Sequence, residues 1–192
     1  MDKQSKKIDL RDDAVCVMRP DEVLLNRREI AFNVAKGKLI DSGGKIETVM
    51  QTAEAFGRGL FEDFIKKESE YWTMEKWVKP VVENIFNPMG TAVNFTKLTD
   101  MKARSLVFKW PLKEESSEAD MASLFTYGFL RGMFLSAFPD GEILMESAMT
   151  KDSPMIEFTF KIRATDEDKL ERERVKKNFN IDAKNLKNKN DR

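Results

Sequence analysis

The sequence predicts an α+β domain in which an antiparallel β-sheet of about four strands, arranged as two hairpins, packs against helices that include one buried central helix. Three observations point to it. Apolar residues recur at helical spacing through the first half of the chain. The period then switches to two, first from Ala92 to Leu112 and again from Glu142 to Arg163. Between those stretches, Ala119 to Phe138 is apolar on most of its faces, as a helix enclosed by other elements would be.

Residues 1–13 read as a charged arm, residues 14–164 as one α+β domain resembling ligand-binding domains, and residues 165–192 as a charged helix with a mobile tail. Within the domain, Asp21 opens a first helix with apolar positions at Val23, Leu24, Ile30, Ala31 and Val34. Asp41-Ser42-Gly43-Gly44 ends it, and Ser42 is expected to cap a second helix whose stripe runs through Ile46, Val49, Met50, Ala53, Phe56, Leu60, Phe64 and Ile65. Thr73 caps a third, carrying Trp77, Val78, Val81, Val82, Ile85 and Phe86 up to Asn87-Pro88-Met89-Gly90. Ala92 to Leu98 and Ser105 to Leu112 then form a hairpin, Ser117 caps the central helix, and Pro139-Asp140-Gly141 stops it. Glu142 to Met149 and Met155 to Arg163 form the second hairpin, with Ile156, Phe158, Phe160 and Ile162 in strict alternation. Thr165 with Asp168 three residues on is a capping box for the last helix.

Composition removes whole classes of chemistry. There is no histidine, so the usual neutral-pH base, the usual metal ligand and the base of a Ser/His or Cys/His pair are missing. The single cysteine, Cys16, cannot form an internal disulfide or a Cys-x-x-Cys half-site, which fits a reducing, cytoplasmic setting. Lys plus Arg equals Asp plus Glu at 33 each, so no global field draws the protein to nucleic acid. No stretch approaches the roughly 18 uninterrupted apolar residues of a membrane-spanning helix, and no integral membrane segment is expected. No nicotinamide or flavin fingerprint is present; no cofactor, no metal and no catalytic residue is assigned.

Two glycine pairs stand out. Gly57 and Gly59 sit inside the second helix, and Gly128 and Gly132 lie four apart on one face of the central helix. Each pair permits close approach of a neighbouring helix or of a flat ligand. Phe56, Leu60, Tyr127, Phe129, Arg131 and Met133 surround them, and aromatic side chains on opposed elements can wall an apolar pocket that glycines enlarge. Arg131, on an otherwise apolar helix, needs a carboxylate or an anionic group wherever it is buried. Glu142, Glu146, Asp152 and Glu157 read as solvent-face charges on or beside the last strands.

Tyr127-Gly128-Phe129-Leu130-Arg131-Gly132-Met133-Phe134, Glu146-Ser147-Ala148-Met149 and Ser153-Pro154-Met155-Ile156-Glu157-Phe158 resemble the end of the 4-vinyl-reductase domain family. Ala55-Phe56-Gly57-Arg58-Gly59-Leu60 is similar to that family's glycine-containing helix. The resemblance spans Val49 to Ile162. It implies a sheet packed against helices as in vesicle-tethering subunits, a tendency to form homodimers, and an apolar cavity for hydrocarbon, aromatic or tetrapyrrole-like molecules. Met149 and Ile156 stand where the family has cysteines, and neither a thioether nor an alkyl chain replaces thiolates on zinc, so the family's metal site is not carried over.

The sequence thus predicts a non-catalytic domain that binds or senses a small apolar or aromatic molecule, with the six residues above as its wall. The alternative is an assembly or adaptor protein forming homodimers or partner complexes. A third reading is an enzyme acting on a tetrapyrrole-like substrate, for which Tyr127 is the one evident proton donor.

Overall fold

The computed structural model describes residues 21–108, 116–148, 155–179 and 181. The N-terminal arm, Cys16, the end of the first hairpin with Trp110, the connection from Met149 to Pro154 and most of the tail lie outside the described residues. Among the described residues there are five α-helices and one four-stranded antiparallel sheet, so the α+β class holds.

Helix α1 (Glu22–Asp41) starts where Asp21 accepts hydrogen bonds from the amides of Val23 (2.8 Å) and Leu24 (3.1 Å). Its buried face differs from the one expected. Leu24, Arg28, Phe32, Ala35 and Leu39 turn inward, whereas Val23 (66% exposed), Ile30 (63%) and Val34 face outward. The helix carries two apolar stripes. The outer one is interrupted by Asn26 and Asn33 and the inner one by Arg28, and the inner one is the row that meets the neighbouring helices, with Phe32 edge-on to Phe125 of the central helix.

The link to α2 (Ile46–Leu60) also corrects the sequence expectation, because its N-cap is Lys45. Gly43 (φ 70°) and Gly44 (φ 95°) adopt left-handed conformations that push the new helix three residues on. Ser42 instead closes α1, its hydroxyl donating to the Leu39 carbonyl at 3.1 Å. The last turn of α2 widens to π-helix at Phe61–Ile65. Helix α3 (Met74–Val81), capped by Thr73, does the same at Val82–Phe86. The two wide turns are tied by Asn84, whose amide donates to the Phe64 carbonyl at 3.0 Å.

Strands β1 (Ala92–Thr99), β2 (Lys102–Phe108), β3 (Glu142–Ser147) and β4 (Met155–Lys161) lie in the order β1-β2-β4-β3. In register, Phe95 opposes Ser105, Ser105 opposes Phe158, and Phe158 and Phe160 oppose Met145 and Ile143. The period of two therefore gathers one apolar face. Helix α4 (Ser116–Ala137) lies against it, with every residue from Met121 to Leu130 buried. It meets the sheet through Tyr127, stacked on Phe158, and Phe134, edge-on to Phe160. Its opposite side packs on α2. No helix among the described residues is long and apolar enough to cross a membrane.

Helix α5 (Asp166–Asn178) begins with the capping box expected from Thr165 and Asp168. Asp168 also binds the ammonium of Lys161 at the end of β4. Burial would push the Asp168 carboxyl up, but the Lys161 and Thr165 hydrogen bonds outweigh it and hold the group below the usual carboxylate range. A depressed carboxylate contributes stability that is complete above its unfolded value, about 3.9, and is lost as pH falls through the lower folded value. Amide protection in α5 is therefore expected to drop as pH falls below about 4, and Asp168→Asn should lower it already at pH 7. Hydrogen exchange reads both, and unchanged protection in the variant would remove Asp168 as the anchor.

Candidate functional site

The glycines decide how α2 and α4 meet. A Cβ built on Gly57 would lie 2.0 Å from the Phe129 carbonyl oxygen, and one on Gly132 would lie 2.2 Å from the Glu54 carbonyl oxygen. One on Gly128 would meet the Ala53 methyl at 2.7 Å. The room these residues leave is taken up by the backbone of the opposing helix. Gly59, grouped with them on sequence, does not belong there: the nearest atom to its would-be Cβ is an Arg27 nitrogen at 4.0 Å.

The six candidate wall residues lie on different sides of this crossing. Phe56 and Phe129 face each other with ring centroids 6.2 Å apart, and the Met133 amide lies beside Gly57. Leu60 is buried on α2. Tyr127 looks the other way, its hydroxyl donating to the Ile143 carbonyl of β3 at 3.1 Å. Burial, and secondarily the nearby Glu142 carboxylate, pushes that phenol far above its ordinary value, so it stays protonated with its proton committed to β3.

Arg131, one turn beyond Tyr127, reaches the end of the sheet. Its side chain is 14% exposed and forks between two carboxylates, with Nη1 donating to Glu54 at 2.7 Å and Nε to Glu142 at 3.0 Å. Burial alone would lower the pKa of this guanidinium; the two carboxylates reverse that and raise it. Glu142 is the centre of the cluster, with a side chain only 2% exposed. Its other oxygen accepts from Arg172 of α5 at 3.0 Å, and the Ile143 amide donates to the oxygen already held by Arg131, at 3.1 Å. The expectation that Glu142 is a solvent-face charge is thus overturned: as the first residue of β3 it is tucked between α4 and α5, where one carboxylate serves two arginines.

Beside this cluster opens a cleft of about 470 Å³, lined by Arg131 and Leu135 of α4, the Pro139–Glu142 turn, Arg163 and Ala164 after β4, and Lys169 and Arg172 of α5. The Ala164 amide, donating to the Asp140 carbonyl at 2.7 Å, ties together two of the chain segments that line it. Arg131 is the one sequence candidate on this lining. Sequence reasoning missed Glu54, Glu142, Lys169 and Arg172. The signal for the first two was the demand of Arg131 for a partner, but its carboxylates lie 77 and 11 residues away, and nothing in the spacing selects them.

Comparison with known families and with curated proteins gives no match. Among solved structures, a point mutant of an H-NOX protein from K. algicida, in its Fe(II) unliganded form, superposes with a TM-score of 0.42 at 10% identity. The superposition covers 60% of this chain and 62% of that one. A likeness at this level defines neither family nor function.

Proposed function

We propose that the protein is a non-catalytic ligand-binding domain of the sensor kind, holding a small molecule in the cleft between α4, the start of β3 and α5. The observation that supports this is the cleft itself. Its volume of about 470 Å³ falls within the range of roughly 300–1,000 Å³ typical of small-molecule sites. It borders Arg131, a residue singled out from sequence, and its wall includes α5, which is held to the body by the Glu142–Arg172 and Lys161–Asp168 pairs. Occupancy there bears directly on how α5 is seated. Leu135, Pro139 and Ala164 offer an apolar surface to part of the ligand, while the charged residues around them orient it. Membership of the 4-vinyl-reductase domain family belongs to the same proposal, supported by the helices of Gly57 and of Gly128 and Gly132 being neighbours.

Native mass spectrometry of the freshly purified chain, compared with its denatured mass, tests the reading. The expected result is a bound small molecule that is lost on denaturation and is weakened or absent in Leu135→Trp, whose larger side chain intrudes on the cleft wall. A ligand retained undiminished by Leu135→Trp would move the site elsewhere.

The alternative of an assembly protein draws on the outer stripe of α1, where Val23, Ile30 and Val34 are exposed. Light scattering after size exclusion, with pull-downs, reads it: a homodimer that dissociates on Ile30→Glu supports it, and a strict monomer that captures no partner counts against it.

A further inference from the structure

We infer that the molecule held in the cleft is an anion, a small compound whose carboxylate or phosphate group is bound by Arg163, Lys169 and Arg172. This rests on the reading of the cleft as a ligand site. Four cations line it, Arg131, Arg163, Lys169 and Arg172, against two carboxylates, Asp140 and Glu142. The carboxylates are not equally available. Both oxygens of Glu142 are occupied by Arg131, Arg172 and the Ile143 amide, so this group neither repels nor attracts a ligand as a bare charge would. Arg131 is matched in turn by Glu54 and Glu142.

What remains is Arg163, Lys169 and Arg172 against the single exposed carboxylate of Asp140. Arg163 has no carboxylate partner among the described residues, and Lys169 meets Asp166 at 3.2 Å with both side chains in solvent, a pairing that an incoming anion displaces at little cost. Arg172 holds Glu142 through Nη1 and the half-exposed Glu173 through Nε, so its outer edge can exchange Glu173 for a ligand while the inner bond stays. A guanidinium edge presents paired donors that suit planar carboxylate and phosphate oxygens alike. The first turn of α5 is not the binding element: Asp166, Glu167 and Asp168 make it acidic, and Thr165 and Asp168 already cap it. The anion is thereby directed to the flank of α5 that carries Lys169 and Arg172, with Arg163 on the same lining.

The test uses the full chain with inorganic phosphate and citrate as probes, each against chloride at matched ionic strength, read by calorimetry and thermal shift. Wild type is expected to bind at least one of them, and Arg163→Gln/Lys169→Gln to lose about tenfold or more in affinity with an unchanged circular dichroism spectrum. A response to phosphate alone points to phosphorylated ligands, and a response to citrate alone to carboxylates. Equal binding by wild type and the double variant overturns the inference, as does absence of binding to either probe. The ligand seen in native spectra separates the two levels. If Leu135→Trp abolishes it while Arg163→Gln/Lys169→Gln does not, the cleft is the site and its occupant is not recognised as an anion. If neither variant affects it, both readings fall.

Discussion

Gly57→Ala is expected to destabilise the protein by about 3 kcal/mol or more, lowering Tm by roughly 6–12 °C for a chain of this size. The added methyl would meet the Phe129 carbonyl oxygen at 2.0 Å and its carbon at 2.8 Å. A flexible side chain could swing aside, but backbone inside a buried helix cannot, so the two helices must separate along their contact. Gly132→Ala meets the Glu54 backbone in the same way and should behave alike. Gly59→Ala is the internal control. With nothing nearer than 4.0 Å to the new methyl, the better helix propensity of alanine should raise stability by up to about 1 kcal/mol. Thermal melts of the three variants decide it. A Gly57→Ala protein melting within a degree of wild type would show that the helices are not in contact there.

Arg131→Met should cost about 3–5 kcal/mol, because it leaves the Glu142 carboxylate, 2% exposed, beside Arg172 alone and strips Glu54 of its strongest partner. Glu142→Gln keeps the shape and part of the hydrogen bonding and should cost less, about 1–3 kcal/mol. Urea unfolding at neutral pH measures both. Costs below about 1 kcal/mol would mean that water reaches the cluster and screens it as it does an exposed pair. A result in the expected range would also separate the two roles of this end of the molecule, since Arg163 and Lys169 can be neutralised without touching the buried pairs.

Much of the fold was legible because periodicity reports burial. The alternation of Ile156, Phe158 and Phe160 names β4 and its inner face without ambiguity, and the apolar run on α4 could be accommodated only by enclosure. Where two patterns compete within one element, periodicity has no way to choose. Helix α1 offers both Val23/Ile30/Val34 and Leu24/Phe32/Ala35/Leu39, and the decision is made by the neighbours that arrive from elsewhere, since the inner row buries Arg28 as well. The turn at Ser42 failed for a different reason, because the two glycines after it, Gly43 and Gly44, take conformations that displace the helix start.

The site was legible in part. The glycines announce close approach, yet sequence cannot say whether a helix or a ligand fills the room, and at Gly57 and Gly132 it is helix. Arg131 announces an acidic partner, yet Glu142 looks like any surface glutamate until β3 is laid beside α4. Charges that meet only in three dimensions leave no local trace.

The α2–α4 crossing also sets when the molecule can come into being. Its contacts join segments 77 residues apart, as between Glu54 and Arg131, with the whole first hairpin between them. Such a contact carries a large loop-closure cost and forms late, so the folding rate should be governed by this encounter more than by any local helix or hairpin. During synthesis, α2 leaves the ribosome long before the helix that fits its glycines, and must wait with its apolar stripe uncovered. The grooved pair is thus a fastening that can close only once the later of its two helices has been made.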